Sequence, residues 1–324
     1  MTLNDEYGIR RPRLADTPDS VRFAVEELLG SSVVAEYPAE AGFTPSVASV
    51  VIGTDGSRLF AKAAPVGQGL GEAVEAGVAL AVVADELGPR LVGSTSVEQW
   101  RVAAYEVVDG APVTRWEAAD QPKILAVVQR MRELMDPSPI AGTSPYAEAF
   151  LPLLGCWQAL NRSADSELSR IAVEHVRGRP LPVDVAIPRL AELESRWLDV
   201  LAVGSALHHG DLRRDNVIRQ PDGEFRIVDW THLWTAPGWM DLVRLAPDLA
   251  ACGLDPEHLL QQSSWQDTPA EDVNVALAGL SGRAWREGHL PELPGLPGLR
   301  RMQREQSLYT LRWLESRLGG TRRQ

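Results

Sequence analysis

From Val47 to Ile52 every position except Ser49 is apolar, and Phe225–Val228 reads as a short alternating strand. A Thr54-Asp55-Gly56 turn follows the first run and leads into Ser57–Ala63, which predicts a hairpin. Pro221-Asp222-Gly223 sets a turn just before the second run. Val21–Leu29 reads as an initial helix. Glu72–Leu87, rich in Ala, Val, Leu and Glu, reads as another and is stopped by Gly88-Pro89. Apolar residues then recur every three to four positions in Lys123–Met135, Ala147–Asn161, Pro188–Val203, Asp241–Ala251, Glu271–Arg286 and Leu299–Leu318. Pro- and Gly-rich breaks at Asp136–Pro145 and His289–Gly298 separate several of these helices. Strands crowd the first third of the chain and helices fill the rest. The expected fold is α+β, with a small β-rich N-terminal lobe over residues 1–106 and a larger helical C-terminal lobe over 107–324.

Composition narrows the classes. A chain of 35.4 kDa with 44% hydrophobic residues can bury a core large enough for two lobes. No stretch approaches 18 uninterrupted apolar residues, so no membrane span is expected. Met1–Asp19 is polar and lacks a signal-peptide pattern; Cys156 and Cys252 lack metal or redox spacing. Together these point to a reducing cytoplasm. A net charge of −12 with no basic stripe argues against nucleic acid as a partner. No internal repeat or low-complexity tract is present, and the oligomeric state is not legible.

Lysine is almost absent: Lys62 and Lys123 are the only two, in a chain with 32 basic residues. A lysine retained against such an arginine bias points to a chemical requirement. Lys62 lies on the strand after the hairpin turn, where a compact positive charge can meet the α- and β-phosphates of a nucleotide. Glu72 and Glu75 share a face of the following helix and either can reach it; Glu75 is favoured as the anionic partner.

His209-Gly210-Asp211, then Asn216, then Ile227-Val228-Asp229 gives the order that metal-dependent phosphoryl transfer uses. The first Asp accepts the proton of the attacking hydroxyl, while the Asn and the second Asp hold Mg²⁺. Asn216 and Asp229 are thirteen residues apart, but a strand–turn–strand unit between them brings them together. His209 reads as a brace for its loop rather than a base, and His208 has no assigned role.

Taken together, Lys62, the helix glutamate, Tyr105-Glu106, His209-Gly210-Asp211 with Asn216, and Val228-Asp229-Trp230 resemble the aminoglycoside phosphotransferase-like family of the protein-kinase-like superfamily. The resemblance runs from about residue 30 to the C-terminus. It implies a bilobal protein-kinase-like fold, a nucleotide (ATP or GTP) and Mg²⁺ as cofactors, and a small hydroxylated substrate. It also implies a hinge at Tyr105–Gly110 whose backbone at Glu106 and Val108 binds the adenine edge. Ala39–Ser46 looks like the family's nucleotide-positioning loop, with Gly42 allowing close approach and Ser46 donating a hydrogen bond. Arg213 stands where Ser/Thr protein kinases place a lysine that reaches the transferred phosphate.

There are departures as well. No long activation loop follows Asp229; Pro237–Leu242 comes instead, with Asp241 read as an N-cap or loop brace. Trp157, Trp197, Trp285 and Trp313 are expected in the core, while Trp230, Trp234 and Trp239 cluster after Asp229 and can wall an acceptor cleft or pack. The excess acid is not concentrated in the larger lobe, which weakens a polycationic antibiotic as acceptor. Aminoglycosides, other antibiotics, amino alcohols, amino acids and sugars stay open. The expected activity is Mg²⁺-dependent transfer of the ATP γ-phosphoryl to a small-molecule hydroxyl; the alternative is a nucleotide-binding pseudokinase or regulatory protein.

Overall fold

Residues 11–39, 44–67, 69–162, 173–294, 296 and 298–320 are described by the structure, a computed structural model. The chain divides into two compact units. The first is formed by the chain up to Thr114 together with Asp215–Leu233; the second by Arg115–Arg214, Trp234–Leu293 and the chain from Gly298 onward.

The first unit is built on five antiparallel strands: β1 (Val33–Pro38), β2 (Val47–Gly53), β3 (Arg58–Pro65), β4 (Leu91–Val97) and β5 (Trp100–Tyr105), in the order β1-β2-β3-β5-β4. The predicted hairpin joins β2 to β3. Gly56 takes the left-handed φ of 85°, and Asp55 Oδ1 accepts the Ser57 amide at 3.0 Å. Because side chains alternate across a sheet, the strands divide their residues between two helices. Leu59, Ala61, Ala63, Val102 and Ala104 pack with Val21, Ala24 and Val25 of α1 (Asp19–Leu29). Phe60, Ala64, Ala103 and Tyr105 pack with Val74 and Ala81 of α2 (Leu70–Val83). Fully burying a side chain the size of Val21 or Val25 contributes about 1.5–3 kcal/mol. Lys62, between Ala61 and Ala63, is left on the face of α2.

A second, three-stranded sheet in this unit pairs Val217–Arg219 with both Phe225–Ile227 and Ala111–Pro112. Gly110, with φ 134°, leads into it. A Cβ there would sit 2.2 Å from the Arg219 carbonyl oxygen, so only glycine fits.

The second unit is helical around Ala270–Gly288, which is buried along most of its length. Gly279 and Gly282 in that helix make room for the rings of Trp197 and Trp157. Those indoles donate to the Ala147 and Ala278 carbonyls at 3.0 and 2.8 Å. Trp157, Trp197, Trp285 and Trp313 are all buried, as expected. Ser144–Pro145, Trp234–Ala236 and Ala206–His208 form a small sheet that pairs Trp234 with His208. The predicted helix Ala147–Asn161 is broken into Tyr146–Phe150, a 3-10 turn at Leu151–Leu153 and Cys156–Asn161, because Pro152 and the left-handed Gly155 interrupt it. Pro188–Val203 similarly becomes Ile187–Ser195 and Trp197–Leu201. The helix Pro256–Gln262, capped by Asp255, was not anticipated. Among the described residues no helix is long and apolar enough to cross a membrane.

Candidate active site

The first unit holds Lys62, Asn216 and Asp229. Lys62 Nζ, on β3, donates to Asp229 Oδ1 across 167 residues of sequence. Asn216 is buried, and its carbonyl accepts the Val228 amide at 2.8 Å. The register Val217↔Ile227 places Asn216 opposite the residue before Asp229, as the strand–turn–strand reading requires. Asp229 itself has φ 65°, a left-handed conformation that a non-glycine residue adopts only when its surroundings enforce it. Those surroundings are visible. Trp230 is buried and donates from Nε1 to the Ile227 carbonyl at 3.0 Å. In α2, Gly77 lets the helix approach so closely that a Cβ would meet the Trp230 carbonyl at 2.8 Å. The Tyr105 hydroxyl, pushed up to about 12 by burial and then by the charge of Asp229, stays protonated. Arg11 adds a further positive charge whose field reaches Asp229, while its Nη1 donates to the Thr44 carbonyl at 2.9 Å.

One expectation for this unit changes. Glu75 is not bonded to Lys62; it pairs with Arg101. The reason is cross-strand register: Lys62 faces Ala103, so Arg101, two residues away on β5, shares its face and offers Glu75 a guanidinium. Half of the expected loop Ala39–Ser46, residues 40–43 with Gly42, lies outside the described residues. Ser46 is described just before β2, its amide donating to the Thr44 carbonyl at 2.9 Å. In the segment expected as a hinge, the Glu106 amide donates to the Arg90 carbonyl at 3.0 Å, and its carboxylate receives the Arg90 amide at 3.0 Å. Val108 follows β5 in the irregular segment that leads to Gly110.

The second unit holds the loop His208–Arg213. Gly210, at φ 80°, needs the freedom of glycine to turn the chain. Asp241 organises this turn: its carboxylate accepts the His209 amide at 2.8 Å and the Gly210 amide at 3.1 Å, and lies 2.9 Å from His208 Nδ1. Burial would raise the Asp241 carboxyl, but the two histidines and these bonds overcome it and hold the group below its usual range. Asp241 lies inside the helix Met240–Ala251, which is capped by Trp239; the brace reading therefore holds and the N-cap reading does not. His209 Nδ1 accepts the Asp211 amide at 3.2 Å, bracing the loop as expected.

Asp211 is 38% exposed at its side chain and is met by two guanidinium groups. Arg244 Nη2 is 3.1 Å from Oδ1 and Arg213 Nη2 is 3.6 Å from Oδ2. Arg213 also reaches Met302 Sδ at 2.9 Å. Arg214 turns away, its amide donating to Asp248 at 2.6 Å and its guanidinium lying 3.9 Å from the same carboxylate. Trp239 is buried, and Trp234 packs against Tyr146 at 5.5 Å between ring centroids, so packing accounts for both. The roles of His208 and Arg244 escaped the sequence reading. The available signal was spacing: Arg244 is one helical turn beyond Asp241, so both side chains leave the same helix face.

No protein-family model matches the sequence, and no curated relative matches it. Solved structures do. An aminoglycoside phosphotransferase from Alicyclobacillus acidocaldarius is 13% identical at a TM-score of 0.58, over 95% of this chain and 97% of that one. The choline kinase LicA from Streptococcus pneumoniae is 12% identical at 0.56, over 91% and 98%. A thermostable mutant of aminoglycoside phosphotransferase APH(4)-Ia, in ternary complex with ADP and hygromycin B, is 10% identical at 0.55, over 93% and 98%. The chain therefore has the α+β kinase-like fold of these small-molecule phosphotransferases.

Proposed function

We propose that this protein transfers the γ-phosphoryl group of ATP to a hydroxyl of a small molecule, with Mg²⁺. The observation that carries this reading is the ion pair between Lys62 and Asp229, with Asn216 in register beside it. These are the residue types that nucleotide phosphates and their metal require, gathered from two distant stretches of sequence. Asp229 supplies a carboxylate and Asn216 an amide oxygen, the hard oxygen donors that suit Mg²⁺. The ion, when bound, neutralises charge on the phosphates. Lys62 brings its ammonium to the α- and β-phosphates, the backbone at Glu106 and Val108 takes the adenine edge, and Ser46 donates to the phosphates from its loop. Asp211 receives the acceptor's hydroxyl proton as the new O–P bond forms and the bond to the ADP oxygen breaks. Arg213 stabilises charge on the moving phosphoryl group. That a structural neighbour binds ADP and hygromycin B, and that LicA is solved with AMP, supports a nucleotide and a small acceptor here.

The test is incubation of the full chain with γ-labelled ATP, Mg²⁺ and a panel of hydroxylated compounds. Label should appear on an acceptor and vanish in Asp211→Asn. Tight Mg-ATP binding with no transfer to any compound would instead favour a nucleotide-binding pseudokinase or regulatory protein.

A further inference from the structure

The side chains around Asp211 carry more positive charge than a general base needs. Both of its carboxylate oxygens face guanidinium groups, Arg244 on Oδ1 and Arg213 on Oδ2. Arg244 is only 14% exposed, and Asp211 is its one hydrogen-bond partner among the described residues. A guanidinium offers five N–H donors in a planar fork, so most of the donors on Arg244 are uncommitted. No Arg244 nitrogen is among the described buried and unpartnered side-chain atoms, unlike the Tyr146 hydroxyl and His208 Nε2. A third guanidinium, Arg283, acts with Arg244, Asp211 and Asp241 on the Tyr146 hydroxyl.

Two described acids next to these residues already have partners. Asp241 is buried and serves His208 and two loop amides. Glu287 pairs with Arg283 at 3.0 Å. Asp211, the proposed base, is the acid beside Arg244. A cationic acceptor approaching Asp211 would meet a guanidinium group at each carboxylate oxygen.

We infer that the acceptor is a hydroxylated acid, whose carboxylate or phosphate is held by the Arg244 guanidinium while its hydroxyl meets Asp211. A planar fork matches either anion in a bidentate fashion. Arg244 is thereby a specificity-determining residue, and the acceptor class differs from the cationic compounds that choline kinases and hygromycin phosphotransferases are named for. The inference rests on the phosphotransfer reading above.

The experiment measures ATP-dependent phosphorylation by the full chain across three classes of acceptor. Glycerate, gluconate and glucose 6-phosphate are acidic, glycerol and glucose neutral, and choline, ethanolamine and hygromycin B cationic. Wild type should favour the acidic class in kcat/KM. Arg244→Met should lower kcat/KM for acidic acceptors about 10–100-fold, mainly through KM, as loss of a hydrogen bond to a charged group does, and should affect neutral acceptors far less. Arg244→Lys should keep the order of preference, which separates lost recognition from lost folding. A wild-type preference for cationic acceptors, or an equal fall in kcat for all classes in Arg244→Met, overturns the inference and leaves Arg244 as a brace for Asp211. Transfer to none of the three classes overturns the phosphotransfer reading along with it.

Discussion

Two charged side chains that meet across 167 residues explain more here than any single motif does. Asp229 holds a left-handed backbone and an ammonium partner at once, which is costly unless the carboxylate is needed in that place. If it is a metal ligand, Asp229→Ala should abolish Mg²⁺-dependent nucleotide binding in titration calorimetry, while Asn216→Ala should weaken it less, because an amide oxygen carries no charge. Equal Mg-ATP affinity in wild type and Asp229→Ala would sink the assignment. Arg213 is nine-tenths sequestered beside Asp211. Arg213→Ala should slow single-turnover transfer about tenfold or more while moving ATP affinity little, since the charge it stabilises develops on the moving phosphoryl group. Its neighbour Arg214 looks like a natural control in the sequence, but its anchorage to Asp248 makes it a structural residue. Arg130, half-exposed and paired with Glu133 one helical turn on, is the better one, and Arg130→Ala should leave the rate unchanged.

At the level of elements, the loop before Asp211 owes its form to the helix Met240–Ala251. Asp241 gives it three contacts from one carboxylate, and breaking a buried charged network of this kind costs about 3–5 kcal/mol. Asp241→Asn should therefore lower the melting temperature and kcat together. The pH dependence follows from the depressed carboxyl. Its stabilising contribution is complete above the unfolded value near 3.8 and is lost as pH falls through the lower folded value. Wild type should thus lose stability more steeply below about pH 4 than Asp241→Asn, and parallel acid melting curves would contradict this. Elements with strong local signals were legible in the sequence. The β2–β3 hairpin follows from Asp55-Gly56, α1 and the helix Leu299–Gly320 from their apolar periodicity, and the pairing of Asn216 with the Asp229 segment from a turn between two short strands. Features set by packing were not. The partner of Glu75 depends on cross-strand register, and the interrupted helices depend on how Pro152 and Gly155 are accommodated. Its spacing from Asp241 puts Arg244 on the same helix face, but only the path of the chain brings it onto Asp211.

Across the whole molecule, both units keep titratable groups neutral by burial. Tyr105 in the first unit and Tyr146 and Cys156 in the second are each pushed up to about 12, burial being the largest cause in every case. Their stabilisation is complete below the unfolded values of 9.0 for the thiol and 10.0 for the phenols, and is lost as pH rises toward 12. Melting temperature should accordingly fall from about pH 9 upward, and Cys156→Ala should delay the onset; a flat profile to pH 11 would be inconsistent with these burials. The central claim is phosphoryl transfer with Asp211 as the base, and one measurement addresses it most directly. Nucleotide affinity and single-turnover phosphoryl transfer are compared in wild type and Asp211→Asn, using whichever acceptor the wild type phosphorylates. The account predicts transfer reduced by about two to four orders of magnitude with Mg-ATP affinity nearly unchanged. Retention of wild-type transfer, or a loss of nucleotide binding as large as the loss of transfer, would contradict it.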